Sequence, residues 1–193
     1  MTAAANKQRL IVGISGASGI VYGVKLLQLL QATPIETHLV MSKSAELTLG
    51  YEMDISLKDV HALADEVHAS KNVAAAISSG SFPTMGMVVA PCSIRSMSEI
   101  ASGITSSLLT RAADVVLKER RKLVLMVREA PLHTGHLRTM TALSEMGAII
   151  APPMPAFYTR PETIDDIVNH SVARVLDLFD IDAGLIKRWG IDA

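Results

Sequence analysis

Five short, almost wholly apolar runs punctuate this chain: LIVGI at 10–14, THLVM at 37–41, MGMVVA at 85–90, LVLMV at 123–127 and AIIA at 148–151. Runs of this length without polar alternation are the mark of strands buried on both faces. Between them the apolar residues return with helical spacing. Val21, Val24, Leu26, Leu27, Leu29 and Leu30 follow the first run, and 44–49 and 57–64 follow the second. Residues 96–103 and 108–118 follow the third, 137–146 follows the fourth and ends at Gly147, and 164–179 follows the fifth. Asp165 and Asp166 sit near the amino end of that last segment, where a helix dipole favours acids. The small, polar stretch 74–81 reads as a loop or a short strand. Strands buried on both faces and alternating with helices predict an α/β chain with a mainly parallel sheet and helices on each side. No repeat or linker interrupts the pattern, so we expect a single domain over 1–193, with residues 1–8 a flexible amino terminus.

Composition narrows what such a chain does. Eighteen Lys and Arg against nineteen Asp and Glu leave a formal charge of −1, which gives no broad electrostatic footprint for nucleic acid or an anionic membrane. Charged residues make up 19% and apolar ones 49% of the 193 residues. That is fewer charges than the ~25% of an ordinary soluble domain, so part of the outside is expected to be covered by other subunits. Trp189, the single tryptophan, lies near the carboxyl end, and the tail 180–193 is expected to pack on a neighbour or on the site. One cysteine, Cys92, excludes an intramolecular disulfide and a thiolate-rich metal centre. No secretory signal precedes the first run, and no stretch of ~18 apolar residues marks a membrane helix, so a cytoplasmic protein is expected.

In an open α/β sheet, ligands bind beyond the carboxyl ends of the strands. The residues found there are unusually polar for so apolar a chain. They are Ser15, Gly16 and Ser18 after the first run, Ser42 and Lys43 after the second, and Ser93, Arg95 and Ser96 after the third. Arg128 and Glu129 follow the fourth, and Tyr158 and Arg160 lie beyond the prolines that end the fifth. Hydroxyls, guanidinium groups and amides at helix starts are what a phosphate needs, and several together point to one or two phosphorylated ligands. The glycine-rich turn by itself is neither a dinucleotide fingerprint nor a Walker loop. His133 and His136 lack a third ligand and are expected to cap a helix or face solvent. Cys92, beside a proline at a strand end, is expected to pack rather than react.

The motifs GISGASG at 13–19, APCS at 90–93, IASG at 100–103, RAADVVLKERRKLVL at 111–125, REAPL at 128–132 and PPMPAFYTRPETIDDIV at 152–168 form one set. Together they resemble the UbiX-type flavin prenyltransferases, from about residue 10 to 189. The resemblance implies a three-layer Rossmann-like or flavodoxin-like subunit assembled into a homododecamer. It also implies a reaction. A dimethylallyl group passes from dimethylallyl phosphate to reduced FMN, closing a ring across N5 and C6, without a metal. The prenylated FMN then goes to a UbiD-type decarboxylase.

By resemblance, the FMN contacts are Gly16, Ala17, Ser18, Ser42, Ser93, Ile94, Arg95, Ser96 and Arg128. The prenyl phosphate would meet Tyr158 and Arg174, with Arg111 and Lys118 supplied across subunit contacts, and Trp189 would help to keep water out. Glu129 is the expected acid for phosphate departure. Ser18 and Glu52 are expected to manage protons during ring closure, Glu52 with a pKa raised by burial. The chain departs from the usual pattern at several places. The family's SxKT is Ser93-Ile94-Arg95-Ser96, its HLEN is His136-Leu137-Arg138-Thr139, Gly135 replaces an apolar residue, and Ser106-Ser107 stands where Asp-Asn is common. Three rivals share the scaffold: a cysteine-type decarboxylase, an aromatic-acid decarboxylase and a non-catalytic FMN carrier. The first lacks its histidine base and PASANT-like segment here, and a second phosphate site serves neither of the others.

Overall fold

The computed structural model describes residues 8–185, and Trp189 and the last residues of the expected tail lie outside them. Six strands form one sheet in the order β3-β2-β1-β4-β5-β6, with every pairing parallel. They are β1 Arg9–Ile14, β2 Glu36–Met41, β3 Glu66–His68, β4 Gly86–Cys92, β5 Lys122–Val127 and β6 Ala148–Ile150. The helices between them are α1 Ile20–Leu30, α2 Lys43–Glu52, α3 Leu57–His61, α4 Ile94–Ala101, α5 Leu108–Lys118, α6 Thr134–Glu145 and α7 Ile164–Asp177.

The pleat explains why the strand runs carry no polar alternation. Leu10, Val12 and Ile14 of β1 enter one core with Val88 and Ala90 of β4 and Val124 and Met126 of β5. Ile11, Met87, Val89, Leu123, Leu125 and Val127 point the other way into a second core. The first core is closed by α1, α2, α3 and α7, and the second by α4, α5 and α6. This three-layer arrangement is the one the chain's resemblance implied.

The sheet departs from expectation at its edge. β3 was not expected, because three residues reading Glu-Val-His, mostly exposed, carry neither period nor hydrophobicity. Pairing with β2 at His38–Val40 supplies its order, assisted by Asp65, which accepts from the Thr37 N–H at 2.8 Å and its hydroxyl at 2.9 Å. The 74–81 stretch is a loop around a short 3-10 turn, Ala76–Ser78, that buries Ile77. α6 begins three residues before the expected start because the His133 ring accepts from the Gly135 N–H at 3.0 Å and so caps it.

Chain order reverses between β1 and β4: successive strands step outward to β3 on one side and to β6 on the other. Such a switch point opens a crevice at the carboxyl ends of the two central strands. Of the strand-end residues singled out above, Gly16, Ser42, Lys43, Ser93, Arg95, Ser96 and Glu129 line a cleft there, whereas Arg160 lines a separate pocket beside α7.

Candidate functional site

Ser15, fully buried, ties the two central strands together where the crevice opens. Its hydroxyl donates to the Pro91 carbonyl at 2.9 Å and accepts from the Ser93 N–H at 2.7 Å. The chain then turns sharply through Gly16, where a Cβ would come within 2.2 Å of the Ser44 Cβ, so only glycine lets this loop lie against α2. Gly19 enters α1 at φ 100, a left-handed conformation that suits glycine.

Two serines open helices on the crevice rim. Ser42 accepts from the Ala45 N–H at 3.1 Å and caps α2, and Ser93 accepts from the Ser96 N–H at 3.2 Å and caps α4. Between them lies a cleft of about 480 Å³, lined among others by Gly16, Ser42, Lys43, Ser93, Ile94, Arg95, Ser96 and Glu129. Residues from the ends of β1, β2, β4 and β5 therefore converge. Arg128 starts from the same place, its N–H held by the Cys92 carbonyl at 3.1 Å.

Glu52, at the end of α2, reaches back across the loop. Its carboxylate accepts from the Gly19 N–H at 2.8 Å and the Ile20 N–H at 3.0 Å, taking the place of a side-chain cap on α1. The expectation of a raised pKa is corrected here. Partial burial pushes the carboxyl up, but hydrogen bonds from Ser18 and the two amides, with the Arg128 charge, outweigh it and hold Glu52 below its ordinary value. Glu52 is thus held in its ionised form. Tyr22 is shifted the other way: burial raises its phenol and Arg128 opposes the rise only in part.

The residues assigned to the prenyl phosphate do not meet within one chain. Tyr158 sits on the turn Phe157–Thr159, with its hydroxyl 3.3 Å from His170 Nε2, and Arg174 pairs with Asp177 at 2.6 Å on α7. Arg111 and Lys118 lie on α5, paired with Asp114 at 2.7 Å and with Glu119. α7 covers the first core and α5 the second, so the sheet stands between the two pairs.

Several residues lining the cleft escaped the sequence reading: Ser70, Lys71 and Glu99. Ser70 and Lys71 follow β3, and without that strand nothing marks them as a strand end. Glu99 was signalled only by its position one helical turn after Arg95. Cys92 is fully buried, and burial pushes its thiol up to about 12, which leaves it a packing residue. His133 is occupied as a helix cap, and the His136 ring lies against it, tilted by 31° with centroids 3.6 Å apart. Among the described residues, no group of three or more His, Cys, Asp or Glu side chains is arranged to hold a metal ion. None of the described helices is long and apolar enough to cross a membrane.

Comparison with known proteins agrees with this geometry. The family model described as Flavoprotein matches residues 2–176. The chain is 61% identical to the flavin prenyltransferase UbiX of Escherichia coli (strain K12), over 94% of this chain and 98% of that one. It is 56% identical to the flavin prenyltransferase UbiX of Thauera aromatica, over 94% and 93%. Among solved structures, AnUbiX (PadA1) in complex with FMN and dimethylallyl pyrophosphate superposes with a TM-score of 0.95 at 49% identity, covering 96% of this chain and 98% of that one. A dodecameric FMN-dependent UbiX-like decarboxylase from Escherichia coli O157:H7 gives 0.93 at 56% identity, over 94% and 99%. The cysteine decarboxylase TvaF shares only the fold, with a TM-score of 0.62 at 17% identity. With two-sided strands, a polar cleft at the switch point and relatives this similar along nearly the whole chain, the protein belongs to the flavoprotein family and, within it, to the UbiX flavin prenyltransferases.

Proposed function

We propose that this chain transfers a dimethylallyl group from dimethylallyl phosphate to reduced FMN, and that the prenylated FMN serves a UbiD-type decarboxylase in the cytoplasm. The observation that carries the reading is the convergence of Gly16, Ser42, Ser93, Arg95, Ser96 and Glu129 on one cleft, in a chain 61% identical to a flavin prenyltransferase. The residues present fit FMN. A cleft of about 480 Å³ lies within the range of small-molecule sites, and hydroxyls, basic side chains and the apolar Ile94 line it. Gly16, Ala17, Ser18, Ser42, Ser93, Ile94, Arg95, Ser96 and Arg128 would hold the flavin.

Reduced FMN, when bound, supplies the nucleophilic N5 and C6. The protein's tasks are to take charge off the leaving phosphate and to exclude water from the allyl carbon. As the bond from carbon to the phosphate oxygen breaks, phosphate keeps the electron pair, and Arg111, Lys118, Arg174 and Tyr158 neutralise it. Glu129, on the cleft wall, gives the departing oxygen a proton. Closing the ring would consume the allyl double bond, one alkene carbon bonding to C6 and the other gaining a proton as C6 loses its own. The ionised Glu52, hydrogen-bonded to Ser18, would receive the proton from C6. Because the sheet separates Tyr158 and Arg174 from Arg111 and Lys118, the donor site is completed between copies of the chain. A homododecamer provides such contacts, and the covering of outer surface accords with the low share of charge.

The test is anaerobic incubation with reduced FMN and dimethylallyl phosphate, with mass spectrometry of the released flavin. A flavin heavier by one five-carbon prenyl unit supports the transferase. Unmodified FMN, tightly bound with either the monophosphate or the diphosphate donor, supports a carrier instead.

A further inference from the structure

Arg95 stands in the first turn of α4 and reaches into solvent, with 81% of its side chain exposed. Its Nε donates to Glu99 Oε1 at 2.8 Å, one turn along the helix. The second carboxylate oxygen, Glu99 Oε2, accepts from the Ser106 hydroxyl at 2.7 Å. All three residues line the cleft. Exposed pairs at this spacing usually contribute little. This one differs because its acid is only 16% exposed and is held from both sides. The hydrogen bonds from Ser106 and Arg95 outweigh burial and hold the Glu99 carboxyl below its ordinary value.

Arg95 is gripped by its inner nitrogen alone. Its terminal Nη1 and Nη2 make no hydrogen bond to any described residue. Two of the departures from the family pattern meet here: Arg95 where a lysine is usual, and Ser106 where an aspartate is common. A lysine has no inner nitrogen by which to be anchored while its outer donors stay available. With serine at 106, the hydroxyl donates to the Glu99 carboxylate.

We infer that Glu99 is a positioning residue for flavin binding, anchoring Arg95 through Nε so that its two terminal nitrogens are presented to the cleft as a fixed fork. Ser106 fixes Glu99 in turn. A guanidinium ordered in advance loses less side-chain freedom when it grips a ligand oxygen. The inference rests on the flavin reading above and adds to it a residue that acts through Arg95.

A double-mutant cycle tests it. The full-length protein is titrated with FMN, following flavin fluorescence, as wild type, Glu99→Gln, Glu99→Ala, Arg95→Ala and the double alanine variant. Thermal melting is recorded for each. Glu99→Ala is expected to raise the Kd for FMN about five- to tenfold, from the lost pre-ordering of one guanidinium. Glu99→Gln keeps an acceptor for Arg95 and a partner for Ser106, so it is expected to melt with the wild type and recover most of that affinity. In the Arg95→Ala background, removing Glu99 is expected to cost nothing further. Tighter FMN binding by Glu99→Ala overturns the inference, because the carboxylate then merely opposes an anion. A Glu99→Ala penalty that persists without Arg95 overturns it equally, since the role is then structural. A wild-type protein that binds no FMN overturns the flavin reading, and the inference with it.

Discussion

The cleft at the sheet's switch point and the scattered prenyl-phosphate residues are built on different principles. Around the cleft, the groups that shape it are placed by the fold of one chain. Ser15 joins β1 to β4, Ser42 and Ser93 cap the helices that follow β2 and β4, and Glu52 caps α1 from across the loop. Tyr158, Arg174, Arg111 and Lys118 instead stand on outer surfaces. Each basic member pairs with an acid one or three residues away: Arg174 with Asp177, Arg111 with Asp114 and Lys118 with Glu119. Such local pairs are weakly held in water and are easily exchanged for a phosphate. On the proposed reading, the contrast makes the acceptor site a product of folding, whereas the donor site would require assembly.

Mutations that separate the two regions sharpen this contrast. The largest effect is expected from Glu129→Gln. Losing a positioned proton donor should lower turnover about a hundredfold, while FMN affinity measured by fluorescence stays within about twofold. Lys118→Ala follows, with turnover reduced about tenfold and a raised KM for the prenyl donor, from loss of one charge-assisted contact to phosphate. Its FMN affinity is expected to match the wild type, and a matching loss of FMN binding would merge the two regions into one.

Gly16→Ala acts on the other side of the comparison. A Cβ that would come within 2.2 Å of the Ser44 Cβ forces the loop off α2. About 1–3 kcal/mol of stability should be lost in a denaturant melt, together with FMN binding. The smallest effect is electrostatic. The Glu52 carboxyl lies below its ordinary value in the folded chain, so its stabilisation is present at neutral pH and is lost only as pH falls through that lowered value. Wild type should therefore out-melt Glu52→Gln at neutral pH. The gap should close below the ordinary carboxylate range of about 4.3, and a gap that closes near neutrality contradicts an ionised cap.

How far the sequence could be read follows the same division. Five of the six strands announce themselves because both of their faces are buried, so hydrophobicity alone marks them. β3 is silent, since its order comes from β2 and from Asp65 rather than from its own three residues. That silence also hid Ser70 and Lys71 on the cleft wall. Residues directly after β1, β2, β4 and β5 converge as expected, because strand ends are where chain order puts ligands, whereas Tyr158 and Arg160, beyond β6, stand apart from that cleft. The protonation of Glu52 was illegible for another reason. Its α2 position says nothing of the two α1 amides it meets, and those contacts set the sign of the shift. The residues assigned to the prenyl phosphate came only through resemblance, since no single chain brings them together.

The central claim, a prenyl-transfer site shared between copies, is tested most directly by mixing two impaired variants. Glu129→Gln lacks the cleft acid and keeps Lys118, and Lys118→Ala does the reverse. The two are co-refolded or co-expressed into mixed oligomers and assayed anaerobically for prenylated FMN by mass. If sites are shared, random assembly leaves about a quarter of them whole, and activity should rise well above either variant alone. Mixed oligomers no more active than the average of the two variants would contradict the account, because each chain would then be carrying its own complete site.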